Sequence, residues 1–155
     1  MLEYKFLYIF LLLVRFIYSE VVRENISDWD TFINKNDINK SNEYIYTLDK
    51  TVKISSDPGN FLNKYEKITI IGNGTIKKRI KCNNNDIPSV FKFSSDNKLS
   101  FKLENIEVIS CAVPFIEMQG SNVDIEIKDC NFSQSNSIVQ AVSVNSVKIT
   151  GCEFK

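Results

Sequence analysis

The chain has no histidine. That removes the usual general base at neutral pH, the usual neutral metal ligand, and every Ser-His or Cys-His nucleophile arrangement. It has no excess charge of either sign: 19 Lys plus Arg face 19 Asp plus Glu. No long-range field therefore draws it to nucleic acid. No apolar run of membrane-spanning length follows Arg15, and no C-x-x-C spacing occurs. A zinc site would have to gather four thiolates from distant points, so neither a metal nor a cofactor is expected. Arginine is scarce as well, with only Arg23 and Arg79 beyond residue 19.

What is present suits one domain. A length of 155 residues allows a real core but not two, and 43% hydrophobic with 25% charged residues is ordinary for a globular chain. Asparagine is abundant, as in Asn83-Asn84-Asn85, a bias that an AT-rich genome alone produces, so single asparagines carry little weight.

Residues 1–19 read as an address. Lys5 supplies a positive charge, Phe6 to Val14 is apolar, and Ile17-Tyr18-Ser19 ends on a small residue. This is the layout of a secretory signal peptide cleaved after Ser19. Arg15 interrupts the run well short of the ~20 apolar residues a span needs. The alternatives are a buried helix or a tilted signal anchor. The expected mature part, 20–155, has no membrane span, and the expected location is secreted or cell-surface.

Four N-glycosylation motifs agree with export, at Asn25, Asn39, Asn73 and Asn131. So does an even count of four cysteines, Cys82, Cys111, Cys130 and Cys152, for which three pairings are formally open.

Ser27 and Asp28 are good N-caps, and Trp29, Phe32 and Ile33 share one helical face, which predicts a short helix over Asp28 to Lys35. From Tyr44 onward the period is two. Tyr44–Leu48 and Thr51–Ile54 read as strands, and Asp57-Pro58-Gly59-Asn60 as a turn.

The chain then repeats itself. Lys67 to Ile76 reads as a strand, a bend and a second strand. The plan returns at Leu99–Val108, Val123–Phe132 and Val147–Phe154. Asn73, Asn105, Asp129 and Gly151 take the bend, at intervals of 32, 24 and 22 residues, the longest holding a polar insert around Asn83 to Asp86. Further short strands fall between copies at Val90–Phe93, Phe115–Met118 and Ala141–Val144. A period near 22 with two or three strands per copy predicts a parallel β-helix (solenoid), because each coil is too small to bury its own apolar face. The expectation is an all-β, right-handed parallel β-helix of about four coils with a short N-terminal capping helix. Cys130 and Cys152 recur at one position, as do Phe132 and Phe154, so the two cysteines are expected as a core ladder. Cys82 and Cys111 lie outside the repeat frame and are the better disulfide candidates. An antiparallel β-sandwich is the alternative fold, and it predicts no such in-register positions.

The run Ser27-Asp28-Trp29-Asp30-Thr31-Phe32-Ile33-Asn34, followed by Ile68-Thr69-Ile70-Ile71-Gly72-Asn73-Gly74, resembles the entry into pectin-lyase-like right-handed β-helix proteins. The later Asn105-Ile106-Glu107-Val108, Asp129-Cys130-Asn131-Phe132 and Gly151-Cys152-Glu153-Phe154 copies are similar to that family's bend-and-strand repeats. The style is that of protist surface and secreted β-helix proteins and of bacterial adhesins. The resemblance covers roughly residues 27 to 155 and implies a fold that serves polysaccharide enzymes and passive adhesins alike.

The chemistry of the family's enzymes finds few matching residues. A polygalacturonase-like site needs a Gly-His-Gly segment, absent here, although Arg79-Ile80-Lys81 matches that family's Arg-Ile-Lys string. A pectate-lyase-like site needs aspartates around calcium and an arginine base. Glu107, Asp124 and Glu126 instead alternate with apolar residues as a solvated face does. A carboxylate pair of Glu107 and Asp129, brought together by stacking, is the remaining hydrolytic arrangement. Gly72-Asn73-Gly74-Thr75 lacks the lysine and helix of a phosphate loop. Lys77 to Lys81 is the only basic cluster and reads as a solvated loop before Cys82. Trp29 reads as a core residue rather than a sugar platform.

No catalytic residue is assigned. The expected function is that of a non-catalytic extracellular protein serving adhesion, glycan contact or surface structure, its partner an extracellular glycan or another surface protein. The alternatives are a partial or degenerate polysaccharide lyase or hydrolase, or the N-terminal fragment of a larger surface protein. The sequence stops at Phe154-Lys155, just after a core-facing strand, so self-association through an open C-terminal coil is also expected.

Overall fold

In a computed structural model, residues 20–54, 56–82, 89–111, 114–135 and 137–155 are described. The signal segment 1–19 and the polar insert at Asn83 to Asp86 lie outside them.

Strict alternation builds the strands. In β7 (Leu99–Glu104), Leu99, Phe101 and Leu103 point inward and are buried, while Ser100, Lys102 and Glu104 face outward. The same alternation holds in β2 (Glu43–Leu48), β4 (Lys67–Gly72) and β10 (Val123–Lys128). These four, with β1 (Val21–Ile26) at one edge and β13 (Ser146–Thr150) at the other, form a six-stranded parallel sheet, sheet A, in the order β1-β2-β4-β7-β10-β13.

Sheet B is five-stranded: β3 (Val52–Ile54), β5 (Lys78–Cys82), β8 (Ile106–Ile109), β11 (Asn131–Ser133) and β14 (Glu153–Phe154) stack in that order. Sheet C has three strands: β6 (Phe91–Ser94), β9 (Ile116–Gln119) and β12 (Val139–Val142). Every strand pair is parallel and joins one turn of chain to the next. The protein is a β-solenoid, and the all-parallel pairing disfavours a sandwich of antiparallel sheets.

About five turns are stacked, where the sequence predicts about four. The added turn begins with β1, which pairs in register with β2 from Val21↔Glu43 to Ile26↔Leu48. Its alternation is masked because Glu24 occupies an inward position, opposite Tyr46. The Glu24 carboxylate accepts from Lys35 Nζ, which closes this end of the core with an ion pair. An inward charge on an edge strand also discourages pairing by another chain.

Helix α1 (Trp29–Ile33) follows β1. Asp28 is its N-cap, accepting the Thr31 backbone N–H at 2.8 Å. Trp29, Phe32 and Ile33 are buried, and the helix packs beside β3. Trp29 meets Phe32, Phe61 and Phe91 with ring centroids 5.6, 6.1 and 5.9 Å apart, so it is a core residue. A single 3-10 turn, Phe61–Lys64, packs beside β6. Helical segments thus lie next to the first strands of sheets B and C, beside apolar ends that no further strand extends among the described residues.

Inward ladders run the length of the stack. One passes through Tyr44, Ile68, Phe101, Ile125 and Val147, another through Val52, Ile80, Val108, Phe132 and Phe154. Each interior side chain contributes ~1.5–3 kcal/mol by leaving water.

Two local expectations change. The bend level before sheet B is held by Gly72, Asn105, Asp129 and Gly151, so Asn73 is displaced one place from it: Ile71 pairs with Glu104, and the Asn105 side-chain amide donates to the Gly72 carbonyl at 2.9 Å. Asn105 and Asp129 adopt φ of 56° and 53°, a left-handed conformation that Asn and Asp tolerate. The second strand of that copy is also not Thr75–Ile76. Residues 73–77 form a longer connection, and the basic cluster Lys77 to Lys81, expected as a solvated loop before Cys82, falls from Lys78 onward in strand β5, with Ile80 and Cys82 buried. Only two inward side chains alternate with its cations, which is why composition alone reads as a loop.

Candidate functional site

Two outward faces carry the polar chemistry. On sheet A, every second residue of each strand points away from the core, and pairing stacks them into columns. One column runs Glu43, Lys67, Ser100, Asp124, Ser146; the next runs Ile45, Thr69, Lys102, Glu126, Lys148. Ion pairs link neighbouring rungs: Lys67–Glu43 at 2.6 Å, Lys128–Glu104 at 2.9 Å and Lys148–Glu126 at 3.5 Å. Lys102 reaches Glu104 on its own strand at 2.7 Å and Glu126 on the next at 3.9 Å. A shallow groove of about 520 Å³ crosses this face.

Two acids of this face, Glu104 and Asp124, are held ionised. Hydrogen bonds from Lys102 and Lys128 keep the Glu104 carboxyl below the usual carboxylate range, and Ser146 and Asn145 do the same for Asp124. A glycosidase acid needs the opposite, a carboxyl held protonated near neutrality. The Glu107 and Asp129 pairing does not form as a register pair. Glu107 stands opposite Asn131, and its carboxylate accepts from Arg79 Nε at 2.6 Å. Asp129 sits at the bend, where its side chain lies against Gly151.

The second face is the corner between sheets A and B. Asp49, Lys50, Thr51, Ile76 to Arg79, Glu107 and Asn131 line a groove of about 510 Å³ there. Lys77 Nζ donates to Asn131 Oδ1 at 2.8 Å, and Asn73 Nδ2 donates to Asp49 Oδ1 at 2.7 Å. Among the described residues no group of three or more Cys, Asp or Glu is arranged to hold a metal ion.

The cysteines divide into two pairs. Cys82, at the end of β5, and Cys111, just past β8, form a disulfide between adjacent turns, with Cα atoms 5.0 Å apart. Cys130 and Cys152 are free thiols at equivalent points of successive turns; Cys130 is buried and Cys152 half-buried. The Cys130 N–H donates to the Cys152 sulfur at 3.4 Å, and burial pushes the Cys130 thiol up to about 12. Asn25 is exposed on β1, Asn39 and Asn73 are exposed in connections, and Asn131 is half-buried on β11. No helix among the described residues is long and apolar enough to cross a membrane.

Comparison with protein-family models, curated proteins and solved structures finds no match to this chain. The β-solenoid architecture therefore rests on the strand pairing itself, and the corner groove is the feature that sequence reasoning missed. Part of its lining, Lys77 to Arg79, is a visible basic cluster, but Asp49 to Thr51, Glu107 and Asn131, which complete it, are distant in sequence.

Proposed function

We propose that this chain is a non-catalytic β-solenoid of the pectin-lyase-like type, secreted or displayed at a cell surface, that holds an extracellular glycan or surface protein against the outer face of sheet A. The observation that carries this reading is the charged lattice itself. Lysines and carboxylates face each other on neighbouring rungs at Glu43–Lys67, Lys102–Glu126–Lys148 and Glu104–Lys128, and the Glu104 carboxyl is held below the usual range as a hydrogen-bond acceptor. Such a face offers donors and acceptors to a hydroxyl-rich polymer at regular intervals, whereas acid-base cleavage needs a protonated acid. The single-residue left-handed bends between sheets A and B support the family likeness. The disulfide agrees with an oxidising compartment.

The test is retention on immobilised polysaccharides, with soluble products assayed in parallel. The native chain is retained without releasing reducing ends or unsaturated sugars, and Lys102→Ala with Lys148→Ala weakens retention. Product release by the native chain that disappears in Glu104→Gln would instead establish a degradative enzyme.

A further inference from the structure

Seven rungs of the solenoid place two charged residues in register. Six pair opposite signs: Glu43↔Lys67, Lys102↔Glu126, Glu126↔Lys148, Glu104↔Lys128, Arg79↔Glu107 and Lys92↔Glu117. The seventh is Lys53↔Lys81, on the outward face of sheet B. Like charges directly opposite one another destabilise a sheet, so this rung works against folding where the others favour it. Both lysines are exposed, and with Lys50 and Lys78 they enter no salt bridge among the described residues.

The start of β5, the strand that carries Lys81, is reached from sheet A by the longest connection between sheets A and B from β4 onward. Where the later turns pass from one sheet to the other in one or two residues (Asn105; Asp129 and Cys130; Gly151 and Cys152), residues 73–77 make a longer connection, turned by Gly74 at φ 84°. Asn105 Nδ2 anchors it to the Gly72 and Gly74 carbonyls, each at 2.9 Å. On it stands Ile76, 77% exposed, the most exposed large hydrophobic side chain of the described residues. An apolar side chain on an anchored loop, bordered by Lys77, Lys78 and Arg79, combines two attractions that act together at an anionic bilayer.

We propose that this corner, together with the outward face of sheet B that continues from it along β5, is a peripheral docking site for an anionic phospholipid surface. Ile76 enters the headgroup region while Lys53, Lys78 and Lys81 meet lipid phosphates and carboxylates. A dissolved polyanion would use the lysines but gives Ile76 no role, so the exposed isoleucine favours the bilayer. This surface is separate from the sheet A face, and either assignment stands or falls without the other. A glycan on Asn73 would shield Ile76, so the test uses unglycosylated protein made in a bacterial periplasm.

Protein is sedimented with vesicles of phosphatidylcholine, alone or with about a third phosphatidylserine, at low and high salt. Binding is expected on the anionic vesicles only, and it falls as salt rises. Ile76→Ser weakens it about fivefold and leaves retention on a heparin column unchanged. Lys53→Gln with Lys81→Gln weakens it about tenfold or more, while the melting temperature stays at or above that of the native chain, which separates lost binding from lost folding. Equal binding to neutral vesicles, or binding to neither, overturns the proposal. So does unchanged vesicle binding by Ile76→Ser, or heparin retention without vesicle binding, either of which makes the corner a site for soluble polyanions.

Discussion

The hydroxyl oxygens of Tyr46 and Tyr65 lie 3.0 Å apart inside the core, joining β2 to the residue that ends the 3-10 turn. Burial raises both phenols. The shared hydrogen bond raises Tyr46 further and offsets part of the rise at Tyr65, as for a donor and its acceptor, leaving Tyr65 at about 12.

Two outcomes follow from this pair. Both groups fold neutral, with pKa values above the ordinary 10.0, so their stabilisation is complete below pH 10 and is lost as pH rises toward the folded values. Resistance to urea should be level from pH 7 to 9 on this account and fall beyond about 10. Tyr46→Phe strands the Tyr65 hydroxyl and should cost about 1–3 kcal/mol. Replacing both tyrosines should cost less than the sum of the single changes, because no orphaned hydroxyl remains.

The Cys82–Cys111 bridge spans a sequence separation of 29 and ties two adjacent turns of sheet B. Cys82→Ser with Cys111→Ser should lower unfolding free energy by about 3–4 kcal/mol on the loop-closure estimate. The two free thiols should differ in the native protein. Iodoacetamide should label Cys152 first, since Cys130 is buried with its thiolate disfavoured. Peptide mass mapping after brief labelling reads the order, and equal labelling of both would contradict the buried position.

Gly72 and Gly74 predict different costs two residues apart. A Cβ on Gly72 would overlap the Asn105 carbonyl oxygen on the next rung, backbone that cannot step aside. Gly72→Ala should therefore cost more than about 2 kcal/mol. Gly74 has open space around it and only its φ of 84° to protect, so Gly74→Ala should cost about 1–2 kcal/mol. Thermal unfolding of the two variants ranks them.

Phe154 stacks on Phe132 at 5.6 Å yet is 56% exposed, and Val147 and Ile149 are also exposed on the last rung. With β13 and β14 presenting unpaired edges, this 155-residue chain should self-associate as its concentration rises. Phe154→Ser should shift sedimentation toward the monomer by removing the largest of these side chains.

Much of the architecture was open to reading in the chain. The alternation in Leu99–Glu104 and Val123–Lys128, and the recurrence of Cys130 with Cys152 and of Phe132 with Phe154, point to stacked turns because inward positions must repeat at each rung. The helix at Trp29–Ile33 was legible from its cap and its apolar spacing. β1 was not, since a charge sits at one of its inward places, and β5 was not, since its cations outnumber its core residues. The outward columns were invisible for a different reason. Which charges face each other depends on register between turns separated by 22 to 33 residues, and the five-residue connection after Gly72 shifts that register.

The amino-acid sequence by itself determined the period, the inward alternation and the absence of histidine, because these depend on residue type and local spacing alone. Only the tertiary structure decided that Lys53 opposes Lys81, that Glu104 lies between two lysines, and that Ile76 stands exposed beside a basic corner. Those relations arise when one turn stacks on the next, and stacking is set by the whole ladder rather than by any one segment.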